Sequence, residues 1–413
     1  MTALRSARSP AMGFIFVTLL IDIMGAGLVI PVLPQLVARL AGGTQIGAKY
    51  FGLFLAVYAL AQFICAPLLG ALSDRYGRRP VLLVSLLGIG LDYVLQYFAP
   101  TLGWLFLGRV IAGVTGANIT AANAYIADVS PPEQRARNFG LVGAAFGVGF
   151  IVGPAIGGVL GGIDVRLPFA FAAGLAFLNF LYGLLVLPES LPKEKRNFAP
   201  LRAVNPLSSL ANLGKYPVVR GLTFSFVLIN LAQQFFFGTW VLFTQYALRW
   251  TPSQTGTGLA AAGIATAIVQ VGLVGHAVRW FGEKRSIVIG LFISVLTYLA
   301  FGLVRTDVQM YLVIVLGSLD RIAGPSIQSL ISKAVSGREQ GAVQGALASL
   351  ASLTGIVAPP LATWLFAVFT GRNAPVVIPG IAFFVGAALI FIAVLTSIKV
   401  LRAYRPAVQA GAN

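Results

Sequence analysis

Apolar residues fill long stretches of this chain, and short polar segments separate them. A stretch of about 20 apolar residues lets an α-helix cross the hydrocarbon core of a bilayer. Leu, Val, Ala, Phe and Gly follow one another without the alternation of polar and apolar positions found in membrane β-strands. We therefore predict twelve membrane-spanning helices, numbered 1 to 12 in chain order: residues 12–34, 50–72, 80–98, 102–127, 139–160, 167–187, 217–246, 254–278, 286–304, 309–332, 342–369 and 376–398.

The composition supports this prediction. Of the 413 residues, 58% are hydrophobic and only 10% are charged, whereas soluble domains carry about 25% charged residues. No nucleotide-binding loop or nucleophile arrangement is evident, and the single cysteine, Cys65, excludes a multi-cysteine metal site. We expect an all-α membrane protein that is not an enzyme and holds no cofactor or metal.

The longest polar segment, residues 189–216, divides the helices six and six. We predict an N-terminal six-helix bundle over residues 1–188, a cytoplasmic linker over 189–216 and a C-terminal six-helix bundle over 217–413.

The two halves repeat each other with an offset of roughly 205 residues. The matching segments are Gly70–Gly77 with Gly275–Gly282, residues 129–134 with residues 335–340, and Gly153-Pro154 with Ala358-Pro359. An even number of helices per half relates such repeats by an axis along the membrane normal, with a binding site near midplane between the halves. The chain is thus predicted to form two pseudo-symmetric bundles, although Asp74 of the first copy becomes Arg279 in the second.

The formal net charge of +17 is compatible with nucleic-acid binding, but the placement of the cations favours a membrane protein. With the N-terminus inside, the inner segments hold twenty-one of the 29 Lys and Arg residues and the outer segments hold six. This asymmetry is the positive-inside rule. We expect a multi-pass protein of the bacterial inner membrane with both termini in the cytoplasm, no bound nucleic acid and no cleaved signal peptide.

Four charged residues lie deep within the predicted helices: Asp22 in helix 1, Asp92 in helix 3, Arg109 in helix 4 and Asp320 in helix 10. A charge at such a depth costs roughly 3 kcal/mol on insertion scales and usually marks a proton, ion or substrate path. Arg109 needs a partner, and Asp22 and Asp92 are the candidates. We favour Asp22 as a proton carrier that Arg109 modulates; a purely structural ion pair is the alternative.

Asp320 is followed directly by Arg321. Adjacent residues project about 100° apart on an α-helix, so these two are not expected to form a simple pair. We predict that Asp320 faces the central cavity or a polar contact at its wall, as a second site for a proton or a cation.

The loop after helix 2 has the features of a gate. Its glycines permit a tight turn, and Asp74 is placed to pair with Arg78 when the cytoplasmic side is closed. A positively charged loop that only sets topology is the alternative. The candidate gating residues are Gly70, Asp74, Arg75, Gly77, Arg78, Arg79 and Asp128 with Gly153 and Pro154 of helix 5.

Helix 5 carries small residues at intervals of three and four, from Gly147 to Gly158. Such a face packs closely, and Pro154 lacks a backbone donor and can kink the helix. We interpret this face as a pliable interface between the halves; ordinary helix packing is the alternative.

Amide and aromatic side chains share neighbouring faces of helix 7. This combination suits an amphipathic organic ligand, although interhelical hydrogen bonding would explain it equally. The candidate substrate-binding residues are Asn118, Asn230, Gln233, Gln234, Phe237, Trp240 and Gln270.

Taken together, the loop at 70–80, the helix 4 segment at 107–117 and the glycine-proline segment at 147–158 resemble the major facilitator superfamily. Within it, the chain is most similar to the drug/proton antiporters and especially the tetracycline exporters. The residues that carry this likeness are Asp22–Leu28 with Pro31–Pro34, Leu91–Tyr93, Ala127-Asp128, and Gly324-Pro325 with Gln328. The resemblance implies a proton-driven exporter that works by rocking of residues 1–188 against 217–413.

The chain departs from the tetracycline exporters at two positions. The resemblance places Phe292 where they have an acid in helix 9, and Thr266 where they have a histidine in helix 8, although Gln270 matches. Conversely, Asp320-Arg321 falls where they have small residues. We therefore expect a substrate other than tetracycline–magnesium and a different acid in the C-terminal half.

The sequence thus predicts a monomeric, proton-coupled antiporter whose partners are a small amphipathic molecule, protons and the lipid bilayer. Two alternatives stay open at this point. One is a proton-coupled symporter or uniporter for an organic nutrient, and the other is a non-transporting membrane receptor of the same fold.

Overall fold

The computed structural model describes residues 8–116, 118–196, 217–333, 340–372, 374 and 376–403. Within these ranges, twelve helical segments are long and apolar enough to cross a membrane, which confirms the predicted all-α class. The helices, numbered as above, are Arg8–Val29, Thr44–Tyr76, Arg78–Phe98, Leu102–Gly116 with Asn118–Val129, Arg135–Ile163, Leu167–Val186, Pro217–Ala247, Pro252–Gly272, Val274–Leu303, Asp307–Gly317 with Ala323–Lys333, Gln340–Phe369, and Ile381–Ala403.

Helix 1 ends five residues earlier than predicted. Pro31 disfavours a helical conformation of the residue before it, and the chain turns after Val29, where the N–H of Ile30 bonds the carbonyl of Gly27 at 3.3 Å. A separate short helix, Leu33–Leu40, follows. Apolar composition alone did not reveal this break because both segments are hydrophobic.

The boundary between helices 8 and 9 lies earlier in the chain than predicted. Helix 8 ends at Gly272, and the next helical stretch begins at Val274 and contains one non-helical residue, Gly282, with φ 72°. Gly77, its counterpart in the first repeat, joins helices 2 and 3 with φ 106°. Left-handed backbone of this kind favours glycine, so both copies of the loop use their last glycine to break the helix.

Helix 10 is not a continuous α-helix, contrary to the prediction. A 3₁₀ segment, Ser318–Ile322, separates its two α-helical parts and carries both Asp320 and Arg321. A mid-helix 3₁₀ stretch changes the spacing of side chains to about three residues per turn.

The chain divides into two compact units. The first unit comprises Met1–Pro206, Gly238–Ile264 and Gly355–Pro379, and its core includes the buried side chains of Ile15, Leu19, Tyr125 and Ile126. The second unit comprises Leu207–Phe237, Ala265–Thr354 and Gly380–Asn413. Its core includes Leu222, Ile287, Ile331 and Ile390. The division into bundles at residues 188 and 217 stays a prediction.

Candidate proton-coupling and gating sites

Three polar side chains form a buried cluster between helices 3 and 4. Asp92 is 1% exposed, Gln96 0% and Arg109 8%. Gln96 Nε2 donates to Asp92 Oδ2 at 2.5 Å, and Arg109 Nη2 donates to Gln96 Oε1 at 2.7 Å. Arg109 Nη2 lies 3.8 Å from Asp92 Oδ2. The cluster therefore joins a carboxylate and a guanidinium through an amide, within a layer of the protein that is otherwise apolar.

Two tyrosines and Asp22 belong to the same electrostatic environment. Tyr93 interacts electrostatically with Asp22, Asp92, Arg109 and Tyr58, and Tyr58 interacts with the same three charged groups. A Cβ atom added at Gly25 would lie 3.6 Å from the Tyr93 hydroxyl, which therefore reaches helix 1 three residues from Asp22.

The structure thus brings together the three charges that the sequence singled out in the N-terminal half. It gives Arg109 a contact with Asp92, one of its two candidate partners. Sequence reasoning did not assign Gln96 or Tyr58 to this site. For Gln96 the signal was available, because it lies four residues after Asp92 and therefore on the same helical face.

Asp320 forms a second polar cluster, in the other unit. Ser294 Oγ on helix 9 donates to Asp320 Oδ2 at 3.2 Å, and Arg321 Nε lies 3.3 Å from Asp320 Oδ1. Tyr298, one turn after Ser294, interacts electrostatically with Asp320 and Arg321. The expectation that adjacent Asp320 and Arg321 do not pair is wrong. Neighbouring residues project about 120° apart on a 3₁₀ turn, so the contact depends on the length of the arginine side chain, whose Nε reaches the carboxylate.

The loop after helix 2 contains the predicted ion pair and extends it. Arg78 Nη1 lies 2.5 Å from Asp74 Oδ1, and Arg78 Nε donates to Asp128 Oδ2 at 3.1 Å. Ser73 Oγ accepts from Arg78 Nη1 at 2.7 Å and donates to the carbonyl of Gly70 at 2.7 Å. One guanidinium therefore ties the end of helix 2 to the end of helix 4.

Glu189 adds a link that the sequence did not indicate. Its Oε1 accepts from the backbone N–H of Arg78 at 2.9 Å, at the N-terminus of helix 3. Gly77 leaves room for this carboxylate, since a Cβ atom there would lie 2.9 Å from Glu189 Cδ. Arg79 is bound at the same end, where Nη2 donates to the Leu184 carbonyl at 2.6 Å. Arg75 stacks over the ring of Tyr76 at 5.5 Å.

The small-residue face of helix 5 lies against two helices of the first unit. A Cβ atom at Gly153 would lie 2.7 Å from the Met24 carbonyl of helix 1. A Cβ atom at Gly27 would lie 2.9 Å from the ring of Pro154. On the other side, a Cβ atom at Gly158 would lie 2.6 Å from the Pro252 carbonyl and 3.0 Å from Gly256 Cα of helix 8. Both contacts depend on glycine.

One end of the same unit is held by further polar contacts. Gln45 Nε2 donates to the Thr370 carbonyl, and Gln245 Nε2 donates to the Pro31 carbonyl, both at 3.3 Å. The ends of helices 7 and 11 are thereby joined to segments of the N-terminal half.

The candidate substrate residues have mixed environments. Asn230 Nδ2 donates to the Phe226 carbonyl of its own helix at 2.8 Å. Trp240 is 2% exposed and packs against Trp250 with ring centroids 5.9 Å apart. Gln233 and Gln234 are half-buried, Phe237 and Gln270 are exposed, and the side chain of Asn118 lies outside the described residues. Their role in binding stays a prediction.

No group of three or more His, Cys, Asp or Glu side chains capable of holding a metal occurs in the part of the chain that the structure describes.

Comparison with known proteins identifies the family. The chain matches the profile of the Major Facilitator Superfamily over residues 15–322 and 222–411. It is 41% identical over 372 residues to the tetracycline resistance protein, class C, of Escherichia coli, a match that spans 90% of this chain and 92% of that protein. The chain belongs to the Major Facilitator Superfamily. The resemblance to tetracycline exporters drawn from helices 1, 3, 4 and 10 is confirmed.

Two further matches extend this result. Multidrug resistance protein 1 of Bacillus subtilis (strain 168) is 31% identical over 84% of this chain and 87% of its own length. Among solved structures, that of the nucleoside transporter NupG covers 96% of this chain and 100% of its own, with a TM-score of 0.78 and 13% identity. At that identity the structural match supports the fold of this superfamily member and nothing finer.

Proposed function

We propose that this superfamily member exports an amphipathic drug-like molecule across the bacterial inner membrane in exchange for protons. The observation that carries the export proposal is the 41% identity to a tetracycline resistance protein along nearly the whole of both chains. The relation to a multidrug resistance protein points to the same class of substrate. We further propose that it acts as a monomer with both termini in the cytoplasm.

Proton coupling is supported by the cluster of Asp22, Asp92 and Arg109. Ionisable residues within a membrane helix usually lie on substrate or proton paths, because burying them is costly. A carboxyl group that binds a proton on the outer side and releases it on the inner side couples proton entry to drug exit. In such a scheme Asp22 carries the proton, while Arg109 and Asp92 control when its release is favourable.

Alternating access requires contacts that form and separate. At the proposed outer side, helix 5 meets helix 8 through glycine backbone, and Gln45 bonds Thr370. Helices that meet in this way lose little side-chain packing when they separate. At the proposed inner side, Arg78 holds Asp74 and Asp128 together. We assign the first set to the outer gate and the second to the inner gate.

The substrate is proposed to differ from tetracycline–magnesium. Phe292 and Thr266 supply neither a carboxylate nor an imidazole, and Phe292 is 54% exposed. On helix 9, the residue in contact with Asp320 is Ser294, whose hydroxyl donates to the carboxylate. This contact supports the proposal that Asp320 supplies the acid that helix 9 lacks.

The test measures transport in inverted membrane vesicles and in proteoliposomes. A panel of cationic, neutral and zwitterionic drugs, tetracycline included, is tested for uptake with and without a pH gradient and for counterflow. Uptake driven by the gradient is expected for at least one compound, and Asp22→Asn should abolish it while counterflow and membrane insertion persist.

The matched control is Asp164→Asn, which alters an exposed acid outside the helices. It should transport as the parent does. Full gradient-driven uptake by Asp22→Asn would remove Asp22 from the mechanism. Gradient-driven accumulation in right-side-out vesicles only would instead indicate a symporter, and the absence of counterflow for any compound would favour a receptor.

A further inference from the structure

Gln96 has both ends of its amide committed within the buried cluster. The NH₂ group donates to Asp92 and the carbonyl accepts from Arg109. Only this orientation satisfies both neighbours, because a carboxylate can only accept and a guanidinium can only donate. The side chain is 0% exposed, so both contacts are shielded from bulk solvent.

The Gln96 amide bridges Arg109 and Asp92 and takes the place of a direct ion pair between them. An N–H···O contact between guanidinium and carboxylate normally measures about 2.7–2.9 Å. Arg109 Nη2 instead lies 3.8 Å from Asp92 Oδ2, while its distance to Gln96 Oε1 is 2.7 Å. The two charges still attract each other, but the amide takes the directional bond.

The bridge leaves both charged groups incompletely satisfied. Among the described residues, Asp92 Oδ1 and Arg109 Nε have no hydrogen-bond partner, although both are buried. A buried polar atom without a partner is unfavourable and is rarely retained without a reason. A neutral carboxyl group needs fewer donors than a charged one, so this geometry suits an Asp92 that binds and releases a proton.

Helix packing holds the arrangement in place. Gly108 lies next to Arg109, and a Cβ atom there would lie 2.7 Å from Asp92 Oδ1 and 2.9 Å from Gln96 Cγ. Helix 4 can therefore approach helix 3 closely enough for Arg109 to reach Gln96. The close approach fixes the amide between the two charges.

We infer that Gln96 is a positioning residue for proton coupling, whose amide holds Arg109 close to Asp92 but out of direct contact. Without it, the guanidinium would bond the carboxylate directly and hold it in the charged form. With it, Asp92 remains able to change its own protonation state as helices 3 and 4 move, and thereby to control the release of the proton that Asp22 carries. This inference rests on the proposed proton-coupled export.

The test compares Gln96→Met with the parent in inverted vesicles across a range of external pH. Methionine has a similar shape but no hydrogen-bonding amide. We expect drug uptake driven by the pH gradient to fall about tenfold, the size of effect of one hydrogen bond to a charged group. The acid limb of the pH profile should move to lower pH by about one unit. Counterflow, which needs no net proton transfer, should persist.

The matched control is Asn179→Leu. Asn179 is a buried amide on helix 6 of the same unit, and it donates to the Thr18 carbonyl at 2.8 Å rather than to a charged group. Its pH profile should match that of the parent. If Gln96→Met does not insert, Gln96→Leu, which also lacks the amide and adds no charge, should show the same altered profile.

The outcomes distinguish a failure of the proposed proton coupling from a failure of the inference about Gln96. If the parent shows export but no response to a pH gradient, the proposed coupling fails and this inference with it. If the parent is driven by the gradient and Gln96→Met keeps the parent's pH profile, as the control Asn179→Leu should, Gln96 is a packing residue and the inference alone is wrong.

Discussion

Glu189 Oε1 accepts a hydrogen bond from the backbone N–H of Arg78 at 2.9 Å, although 111 residues separate the two in the chain. The contact places a carboxylate at the N-terminus of helix 3, where it satisfies a free donor and faces the positive end of the helix dipole. Arg78 in turn holds Asp74 and Asp128. The segment that leaves helix 6 is therefore anchored to the proposed inner gate.

Replacing Glu189 should weaken this gate and the helix it caps. Glu189→Ala removes the acceptor, and loss of a helix cap typically costs about 1 kcal/mol. We expect lower thermal stability in detergent and slower gradient-driven transport. Glu133→Ala, which alters an exposed acid between helices 4 and 5, is the control. Identical behaviour of the two variants would show that the Arg78 contact contributes nothing.

Asp74→Asn should affect the gate more than the stability. The Asp74 side chain is 46% exposed, so its pair with Arg78 contributes at most about 1 kcal/mol. Closure of the cytoplasmic side, however, should weaken. We expect faster labelling from the inner side of a cysteine placed at residue 234, in protein whose Cys65 is replaced by Ala. Unchanged labelling and transport would leave the loop a topology signal only.

Asp320→Asn should change what the protein transports, or the pH at which it does so. The substitution keeps the size of the side chain but removes the charge that faces Arg321 and Ser294. We expect an altered substrate range or pH optimum at normal expression. Asp307→Asn, an exposed acid at the start of the same helix, should alter neither. Normal transport with reduced stability would make Asp320 a member of a structural ion pair.

The small-residue face of helix 5 offers a comparison of two glycines one turn apart. Gly158→Val should disrupt the seam with helix 8, because its Cβ atom would lie within 3.0 Å of Gly256. Overpacking of this kind costs about 1–3 kcal/mol. Gly162→Val should be tolerated, since no atom lies within 4 Å of its added Cβ. Thermal unfolding and labelling from the outer side measure the difference, and equal effects would argue against a tight seam.

The substrate range can be measured in a drug-sensitive bacterium. Because Phe292 and Thr266 stand where the tetracycline exporters are expected to have an acid and a histidine, resistance should rise more for a hydrophobic or cationic compound than for tetracycline. The tetracycline resistance protein, class C, serves as the reference under the same promoter. A large, magnesium-dependent tetracycline phenotype would show that these two positions do not decide the substrate.

Hydropathy predicts the helices well because every membrane helix must bury its backbone polar groups in the same way. The short glycine-containing turn between Asp74 and Arg78 likewise predicts their pair. Such patterns do not predict the helix breaks at Gly272 and within helix 10, because apolar composition does not distinguish α from 3₁₀ backbone. They do not predict the contact between Glu189 and Arg78 either, since local spacing cannot relate residues that lie 111 positions apart in the chain. The error at Asp320 arose from judging the pair by backbone direction alone, although the arginine side chain is long enough to reach its neighbour.

The two charged clusters differ in how they respond to mechanical displacement. Asp320 and Arg321 lie on one 3₁₀ turn, so a sliding of helix 9 past helix 10 leaves their contact intact. Gln96 and Arg109 lie on different helices and are joined at 2.7 Å. A relative movement of helices 3 and 4 that lengthens this bond by about 1 Å would take it beyond the normal hydrogen-bond range. The N-terminal cluster therefore converts a small relative movement of two helices into a change of bonding at a carboxyl group, whereas the C-terminal cluster travels with its helix as a charge pair.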